Sequence, residues 1–288
     1  MISVEKIKQK AETQGISVSL IFKEYVHWVI LEYLFRKGLF SYLVFQGGTA
    51  LRFAYKGVRY SEDLDFVLKR KNAHFFYHLT ENLKSLPSYI DKFIPFAKNP
   101  QLEVQKDTPN FKRISLILEV EFLRAKDKTN IEIANIPSYS TQTIILKAED
   151  IPLSPGVVVE TPQEILSDKF VAFVERNYLK GRDLWDAYFI LDTLHISVDK
   201  NIKRMLEKKI SDYSLSMQEF MLKFQKNLTL LEKNGVAILK QEMDKFLPLA
   251  YRNLFKAKYS DICKEEVKIL SKLLKELKNE NSRLVKLF

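Results

Sequence analysis

The pattern of hydrophobic and polar residues predicts a first half that mixes strands with helices and a second half made of helices. Residues 3–38 keep an apolar stripe at helical spacing, and Gly38 supplies a helix stop. A short apolar run at Leu43–Phe45 has the length of a buried strand. From Pro162 to the C-terminus the spacing predicts four or five helices. The predicted fold class is therefore α+β, with an all-helical C-terminal lobe.

Alternation and turn residues predict the other elements of the first half. We expect a strand at 63–68, a helix at 73–86 that is ended by Pro87, and two paired strands at 113–123 and 130–136. The last two are joined by a short polar turn, which suits an antiparallel pair. Together with the first apolar run, these segments predict a mixed sheet that helices flank.

Two stretches lack a clear pattern. Residues 93–109 indicate no element, and residues 138–162 are rich in Pro and Gly, as loops are. We therefore place the boundary between two lobes in the second stretch. Residues 1–150 are predicted to form the first lobe and residues 151–288 the helical second lobe.

Composition limits the classes of function. The chain has 46 Lys and Arg against 36 Asp and Glu, a net charge of +10 that favours polyanions such as nucleic acid. No apolar run reaches membrane-spanning length, and the N-terminus lacks the apolar core of a signal peptide, so no membrane association is expected. The single Cys263 provides neither a disulfide nor a cysteine metal site, which fits the cytoplasm.

The stretch from Leu43 to Leu68 carries the clearest candidate chemistry. Gly47 and Gly48 follow the apolar run, where the backbone can turn sharply, and Thr49 can cap the helix that follows. Later in the stretch, the acids of Ser61-Glu62-Asp63-Leu64-Asp65 alternate with apolar residues, so on a strand the two aspartates share one face. Paired carboxylates suit Mg²⁺, and a nearby helix N-terminus suits phosphate. A paired-carboxylate site for a cation beside a helix N-terminus for phosphate is what a metal–nucleotide complex needs.

A second stretch, residues 165–191, places charges on two predicted helices. Lys169 lies on a helix that is otherwise apolar, and Arg182-Asp183-Leu184-Trp185-Asp186 starts the next helix. Asp183 and Asp186 are three residues apart and lie close together near a helix N-terminus, which favours negative charge. These charges suit a phosphate site, but they also suit a salt-bridge network between helices, in which Arg176 would take part.

Both stretches resemble the AbiEii-type toxin family of type IV toxin–antitoxin systems, within the polymerase-beta-like nucleotidyltransferase superfamily. The residues that carry the likeness are Gly47-Gly48-Thr49, Ser61-Glu62-Asp63-Leu64-Asp65, Lys169, Arg176 and Arg182-Asp183-Leu184-Trp185-Asp186. The likeness spans residues 20–195, and residues 196–288 match no motif. It implies a polymerase-beta-like core and an enzyme that moves a nucleoside monophosphate from a nucleoside triphosphate to an acceptor.

The resemblance also implies roles for individual residues. Asp63 and Asp65 would hold Mg²⁺ (or Mn²⁺), while Gly47, Gly48 and Thr49 would bind the nucleotide. Lys169 would contact the triphosphate and act in catalysis, and Asp183 would be the acid of the second motif that takes part in activity. Arg182 and Asp186 would bind the nucleotide. Relatives imply RNA as the acceptor, at the tRNA 3′ end, and a cognate antitoxin as a protein partner.

The superfamily needs a third carboxylate on a later strand. A lone acid between β-branched residues is its pattern there, and Ile131-Glu132-Ile133 matches it. Glu132 is therefore the predicted third metal ligand and catalytic acid. Glu121 stays open as the alternative because it also falls on a predicted strand.

Two other functions remain compatible with the sequence. A catalytically silent member of the same fold would bind nucleic acid or a partner, although the intact pair Asp63 and Asp65 argues against loss of activity. A phosphotransferase would pass on phosphate in place of a nucleotide. Labelled nucleoside triphosphates distinguish the three.

Overall fold

The structure, a computed structural model, describes residues 2–148 and 151–285, and side chains up to residue 279. The chain forms two compact units: unit 1 is Met1–Thr161 with Phe246–Leu249, and unit 2 is Pro162–Lys245 with Ala250–Phe288. The predicted boundary after residue 150 falls at residues 149–150, which lie outside the described residues. The division at residue 161 comes later because a strand that ends at Glu160 pairs within the sheet of unit 1.

Unit 1 is built around a mixed sheet. Its described strands follow the spatial order β3-β4-β5-β2-β1-β7-β6. Strand β1 runs antiparallel to β2 and parallel to β7, and β2 runs parallel to β5, so the centre of the sheet is mixed. The strands are β1 (Leu43–Gln46), β2 (Asp63–Leu68), β3 (Ala97–Thr108), β4 (Phe111–Val120), β5 (Ala125–Pro137), β6 (Thr141–Ile145) and β7 (Gly156–Glu160).

Helices flank this sheet. The predicted helix at 3–38 is two helices, because Gly15 adopts a left-handed φ of 61° and Ser17 caps a new start. The second of them packs across β5 and β7, as an apolar helix placed before the first strand should. The described helices of unit 1 are α1 (Val4–Gln14), α2 (Val18–Arg36), α3 (Gly47–Tyr55), α4 (Ala73–Tyr77), α5 (Leu79–Leu83) and α6 (Leu86–Phe93).

Two local predictions in unit 1 were wrong, and a stretch without a predicted element forms a strand. Pro87 lies in the first turn of α6 and so begins a helix, since the first turn needs no amide hydrogen from proline. The stretch 93–109 contains β3, an exposed edge strand whose polar composition hid its pairing with β4. The stretch predicted as loop contains β6 and β7, which pair with each other.

The described residues of unit 2 form helices and no strand, as predicted, but there are six α-helices, and a π-helical turn at Phe189–Thr193 follows the second of them. A buried ion cluster connects two of them: Lys209 is fully buried and its Nζ lies 2.8 Å from Glu164 and 3.0 Å from Asp168. No helix in the described part of the chain has the length and apolarity needed to cross a membrane. The helices are α7 (Pro162–Glu175), α8 (Gly181–Tyr188), α9 (Lys200–Asp212), α10 (Met217–Phe246), α11 (Leu249–Phe255) and α12 (Tyr259–Val285).

Candidate active site

The turn from β1 into α3 presents a helix N-terminus at the middle of the sheet. Helix α3 begins at Gly47, whose φ of 75° lies in the left-handed region that glycine tolerates. The first amides of a helix lack partners within the helix and attract anions. Thr49 is not the cap that the sequence predicted. The helix starts three residues earlier than predicted, so Thr49 lies within its first turn, where it is fully buried and its hydroxyl donates to the carbonyl oxygen of Asp63.

Both glycines of the turn lie against charged side chains. A Cβ at Gly47 would lie 2.6 Å from Oδ2 of Asp65. A Cβ at Gly48 would overlap the guanidinium of Arg59, which is buried and donates from Nη1 to the carbonyl oxygen of Tyr60. The glycine pair therefore lets a carboxylate and a guanidinium approach the backbone at the start of α3.

The two aspartates begin strand β2 on one face. Leu64 and Phe66 are buried on the other face, while Asp63 and Asp65 are half-buried. Oδ1 of Asp63 accepts a hydrogen bond of 2.8 Å from the amide of Asn130, its partner on β5. The predicted alternation therefore places both carboxylates beside the start of α3.

Strand register places Glu132 next to this pair. In the parallel pairing of β2 with β5, Asp65 lies opposite Glu132, so their side chains share a face. Nε of Arg113 holds Oε1 of Glu132 at 2.7 Å. Glu121 lies in a short 3₁₀ turn after β4, where it is exposed and pairs with Lys98. Of the two candidates, Glu132 is the one that lies beside the aspartates.

This donor set fits a hard divalent cation. Asp63, Asp65 and Glu132 offer carboxylate oxygens from two adjacent strands, and Mg²⁺ and Mn²⁺ prefer oxygen ligands. Three half-buried acids at adjacent positions also repel one another, and a cation would offset that repulsion. The residues present are therefore suited to hold such an ion.

A second layer of buried polar residues fixes the loop between α3 and β2. Arg52 pairs with Glu24 and donates to the carbonyl oxygen of Val58 at 2.9 Å. Nε2 of His27 donates to the carbonyl oxygen of Glu62 at 3.1 Å. Burial lowers the pKa of His27 to about 3, so this ring is neutral at physiological pH. These groups position the segment that ends at Asp63.

Sequence reasoning missed Arg59 at this site. Its only sequence signal is its place between Gly57 and Ser61 in a turn that leads to the acids, and many surface turns carry an arginine there. Its burial and its position over Gly48 depend on the packing of α3 against β2, which the local sequence does not reveal.

In unit 2, the charges of the second motif form a compact ion cluster. Nζ of Lys169 lies 2.9 Å from Oδ1 of Asp183 and 2.6 Å from Oδ2 of Asp186. Nε of Arg176 lies 3.1 Å from Oδ2 of Asp183. Asp183 and Asp186 are buried, and the Lys169 side chain is 11% exposed. The salt-bridge network that the sequence allowed is therefore present, and it joins α7 to α8.

Arg182 lies beside this cluster but pairs elsewhere. Its backbone amide donates to Oε2 of Glu242 at 2.9 Å, and its Nε lies 3.5 Å from the same oxygen. Glu242 on α10 therefore contacts both the backbone amide and the guanidinium of Arg182 at the start of α8.

A small cavity of about 20 Å³ lies against the Lys169–Asp183 pair. Its walls are otherwise apolar except for Glu266 on α12, which is 3% exposed. Neither carboxylate oxygen of Glu266 has a hydrogen-bond partner among the described residues, and burial raises the pKa of this carboxyl well above its usual range. A cavity of this volume has room for about one water molecule.

Comparison with solved structures supports the fold. The crystal structure of JHP933 from Helicobacter pylori is 18% identical, covers 94% of this chain and 99% of its own, and gives a TM-score of 0.51. A proposed nucleotidyltransferase from H. pylori is 17% identical, with 92% and 98% covered and a TM-score of 0.52. These likenesses confirm the predicted α+β fold. Among curated proteins, none matches this chain.

A family model assigns the chain more specifically. The model described as nucleotidyl transferase AbiEii toxin, type IV toxin–antitoxin system, matches residues 29–262, which is most of the chain and includes both motifs. Membership implies a nucleoside triphosphate as substrate and a cognate antitoxin as partner. The chain therefore belongs to the family of AbiEii nucleotidyl transferase toxins of type IV toxin–antitoxin systems.

Proposed function

We propose that this nucleotidyltransferase transfers a nucleoside monophosphate to the 3′ end of an RNA, with a tRNA as the favoured acceptor, and that Asp63, Asp65 and Glu132 are its catalytic acids. One observation supports the site above all others. In the register of β2 with β5, Asp65 lies opposite Glu132 and Asp63 lies opposite Asn130, so the three acids occupy neighbouring strand positions beside the start of α3.

The triphosphate is proposed to bind where α3 begins. The backbone at Gly47, Gly48 and Thr49 offers a helix N-terminus, whose amides and dipole favour phosphate oxygens. The guanidinium of Arg59 lies over Gly48 and adds positive charge at the same end of the helix. Two independent sources of positive potential thus support this placement.

Asp63, Asp65 and Glu132 would hold Mg²⁺ or Mn²⁺. When bound, such an ion neutralises phosphate charge and lowers the cost of bringing a hydroxyl to phosphorus. The acids themselves are positioned by protein groups. Asn130 donates to Asp63 and Arg113 pairs with Glu132, so protein groups orient these two carboxylates.

In the proposed reaction, the oxygen of the acceptor hydroxyl forms a bond to the α-phosphorus. The bond from that phosphorus to the oxygen bridging to the β-phosphorus breaks, and pyrophosphate leaves. Glu132 is the proposed acceptor of the hydroxyl proton, and the Arg113 guanidinium keeps it oriented for that role. Nucleotide and pyrophosphate together account for every atom of the triphosphate.

The second motif is assigned to the same reaction because of the family resemblance. Lys169 would stabilise the leaving pyrophosphate, with Asp183 and Asp186 setting the position of its ammonium. Arg182 is proposed to contact the nucleotide. The ion cluster by itself is equally what a structural network between α7 and α8 needs.

The proposal of RNA as acceptor is based on the net charge of +10 and on the family resemblance. A phosphotransferase and a catalytically silent binding module are the competing functions. Incubating the protein with α-labelled nucleoside triphosphates, Mg²⁺ and bulk tRNA separates them. Label on tRNA supports nucleotide transfer, and transfer from γ-labelled triphosphate alone indicates a phosphotransferase. No transfer from either label indicates a silent module.

A matched pair of variants tests the site in the same assay. Glu132→Gln removes the acid beside Asp65, whereas Glu121→Gln removes an exposed acid of the same chemistry from the adjacent turn. We expect Glu132→Gln to abolish labelling and Glu121→Gln to retain it. The reverse result would move the third acid to Glu121 and contradict the proposed geometry.

A further inference from the structure

Three segments of unit 1 meet where strand β2 ends. The backbone amide of Lys69, the first residue after β2, donates to the carbonyl oxygen of Tyr42 at 2.7 Å. The amide of Ser138 donates to the carbonyl oxygen of Leu68 at 2.8 Å. The residues before β1, after β2 and after β5 therefore share one end of the sheet.

This end of the sheet is depleted of negative charge. Over the whole chain one residue in eight is acidic, 36 of 288, yet the segments 33–46, 66–80 and 133–147 contain no Asp or Glu. They contain six basic residues, three of them consecutive and exposed: Lys69, Arg70 and Lys71. Of the other three, Arg36 pairs with Glu32, which lies just before the first segment.

Exposed aromatic rings lie among these cations. Tyr42 is 45% exposed and stacks on Phe75, with ring centroids 4.4 Å apart and an interplanar angle of 14°. Tyr77, on the same short helix as Phe75, is 76% exposed, and His74 is exposed beside it. Exposed rings beside cations are the means by which proteins hold single-stranded nucleic acid.

The position of these residues relative to the catalytic acids agrees with such a use. Lys69 follows Asp65 by four residues along an extended strand, a distance of roughly 13 Å. An RNA whose 3′ end reaches Asp65 therefore has its next few nucleotides within reach of the end of β2.

We propose that Tyr42, Lys69, Arg70, Lys71, His74 and Tyr77 form an RNA-binding surface, called the basic patch below, which holds the acceptor a few nucleotides from its reacting end. The cations contact phosphates and the exposed rings stack on unpaired bases. This rests on the proposed function in taking RNA as the acceptor. An acidic protein would match the charge, whereas a single-stranded RNA matches the cations with its phosphates and the exposed rings with the faces of successive bases.

Binding of labelled bulk tRNA, measured without nucleoside triphosphate over a series of salt concentrations, tests the basic patch. The triple variant Lys69→Gln, Arg70→Gln, Lys71→Gln should weaken binding at least tenfold at moderate salt. The slope of its log affinity against log salt concentration should become less negative by about two to three. Each lost phosphate contact contributes about 0.7 to 0.9 to that slope. Tyr77→Ala should weaken binding about tenfold, while Tyr77→Phe, which keeps the stacking ring, should bind like the wild type.

A second triple variant controls for charge alone. Lys264→Gln, Lys268→Gln, Lys275→Gln removes three exposed charges from α12, two of which pair with neighbouring acids, and should leave tRNA binding nearly unchanged. Equal losses in the two triple variants, or no tRNA binding by the wild type, would overturn the proposal. The proposal would also be overturned if the variant Lys69→Gln, Arg70→Gln, Lys71→Gln bound tRNA normally but no longer bound an acidic protein. If the wild type binds tRNA through the patch but transfers no nucleotide, the proposed function fails and the surface stands.

Discussion

The guanidinium of Arg59 occupies the space in which a side chain at Gly48 would lie. This contact explains the second glycine of the turn without any ligand. Arg59 is 4% exposed, so it cannot move aside into water without opening the loop between α3 and β2. The glycine and the arginine are therefore coupled, and their coupling can be measured.

We expect Gly48→Ala to displace Arg59 and to weaken nucleoside triphosphate binding. In an Arg59→Ala background a side chain at position 48 meets no guanidinium. Gly48→Ala should therefore cost much less free energy of binding and of unfolding there. The difference is expected to be a coupling free energy of about 1 to 3 kcal/mol. Calorimetric binding and thermal unfolding of the two single variants and the double variant measure it. Equal costs of Gly48→Ala in both backgrounds would show that Gly48 is required for a reason other than Arg59.

The aspartate pair should be required for catalysis and dispensable for folding. Asp63→Asn and Asp65→Asn each remove one charge from a site of mutually repelling carboxylates. Loss of a metal ligand removes several kcal/mol of charge stabilisation, so transfer should fall about a hundredfold or more. The melting temperature should stay level or rise. Near-normal turnover of either variant at saturating Mg²⁺ would contradict the metal assignment.

Lys169→Ala should affect both stability and rate, because the ammonium neutralises two buried carboxylates. Leaving Asp183 and Asp186 without it should cost about 3 to 5 kcal/mol of unfolding free energy, with Arg176 still contacting Asp183. If Lys169 also acts on the reacting phosphates, turnover per folded molecule should fall about a hundredfold.

The variant Lys169→Met, Asp186→Asn separates the two effects. Removing one acid together with the lysine should restore much of the stability, while activity should remain lost. If the double variant recovers its stability and is fully active, the ion cluster has a purely structural role. The catalytic assignment would then rest on Asp63 and Asp65.

Glu266 should make stability depend on pH. Its folded-state pKa is raised by burial, whereas an unfolded glutamate has a pKa of about 4.3. Unfolding above that pH releases a proton, so the unfolding free energy should fall as pH rises from about 4.3 toward the folded-state pKa, by at most about 1.4 kcal/mol per pH unit. Glu266→Gln cannot ionise, so its stability relative to the wild type should increase from pH 5 to pH 8.

The exposed Glu265 provides the control for this measurement. Glu265→Gln removes a carboxyl from the same helical turn, where its side chain is 64% exposed and lies near Lys268. Melting temperatures of the three proteins across pH test the expectation. A constant difference between Glu266→Gln and the wild type would mean that Glu266 is ionised in the folded protein.

The local geometry of the two motifs was predictable from sequence because it depends on short-range spacing. Alternation on a strand places Asp63 and Asp65 on one face whatever the sheet contains. Helical spacing likewise places Asp183 next to Asp186 and near a helix start. The apolar run, the glycine pair and the helix after it followed from the same local preferences, and β1 and α3 confirm them.

Tertiary structure determined the contacts between residues that lie far apart in the chain. Only the register of β5 on β2 places Glu132, 67 residues after Asp65, beside the acids and leaves Glu121 in a turn. The burial of Arg59 over Gly48 likewise depends on which elements pack together, and so does the pairing of Lys169 with both Asp183 and Asp186. Register and packing follow from the burial of the whole core, and no local pattern contains that information.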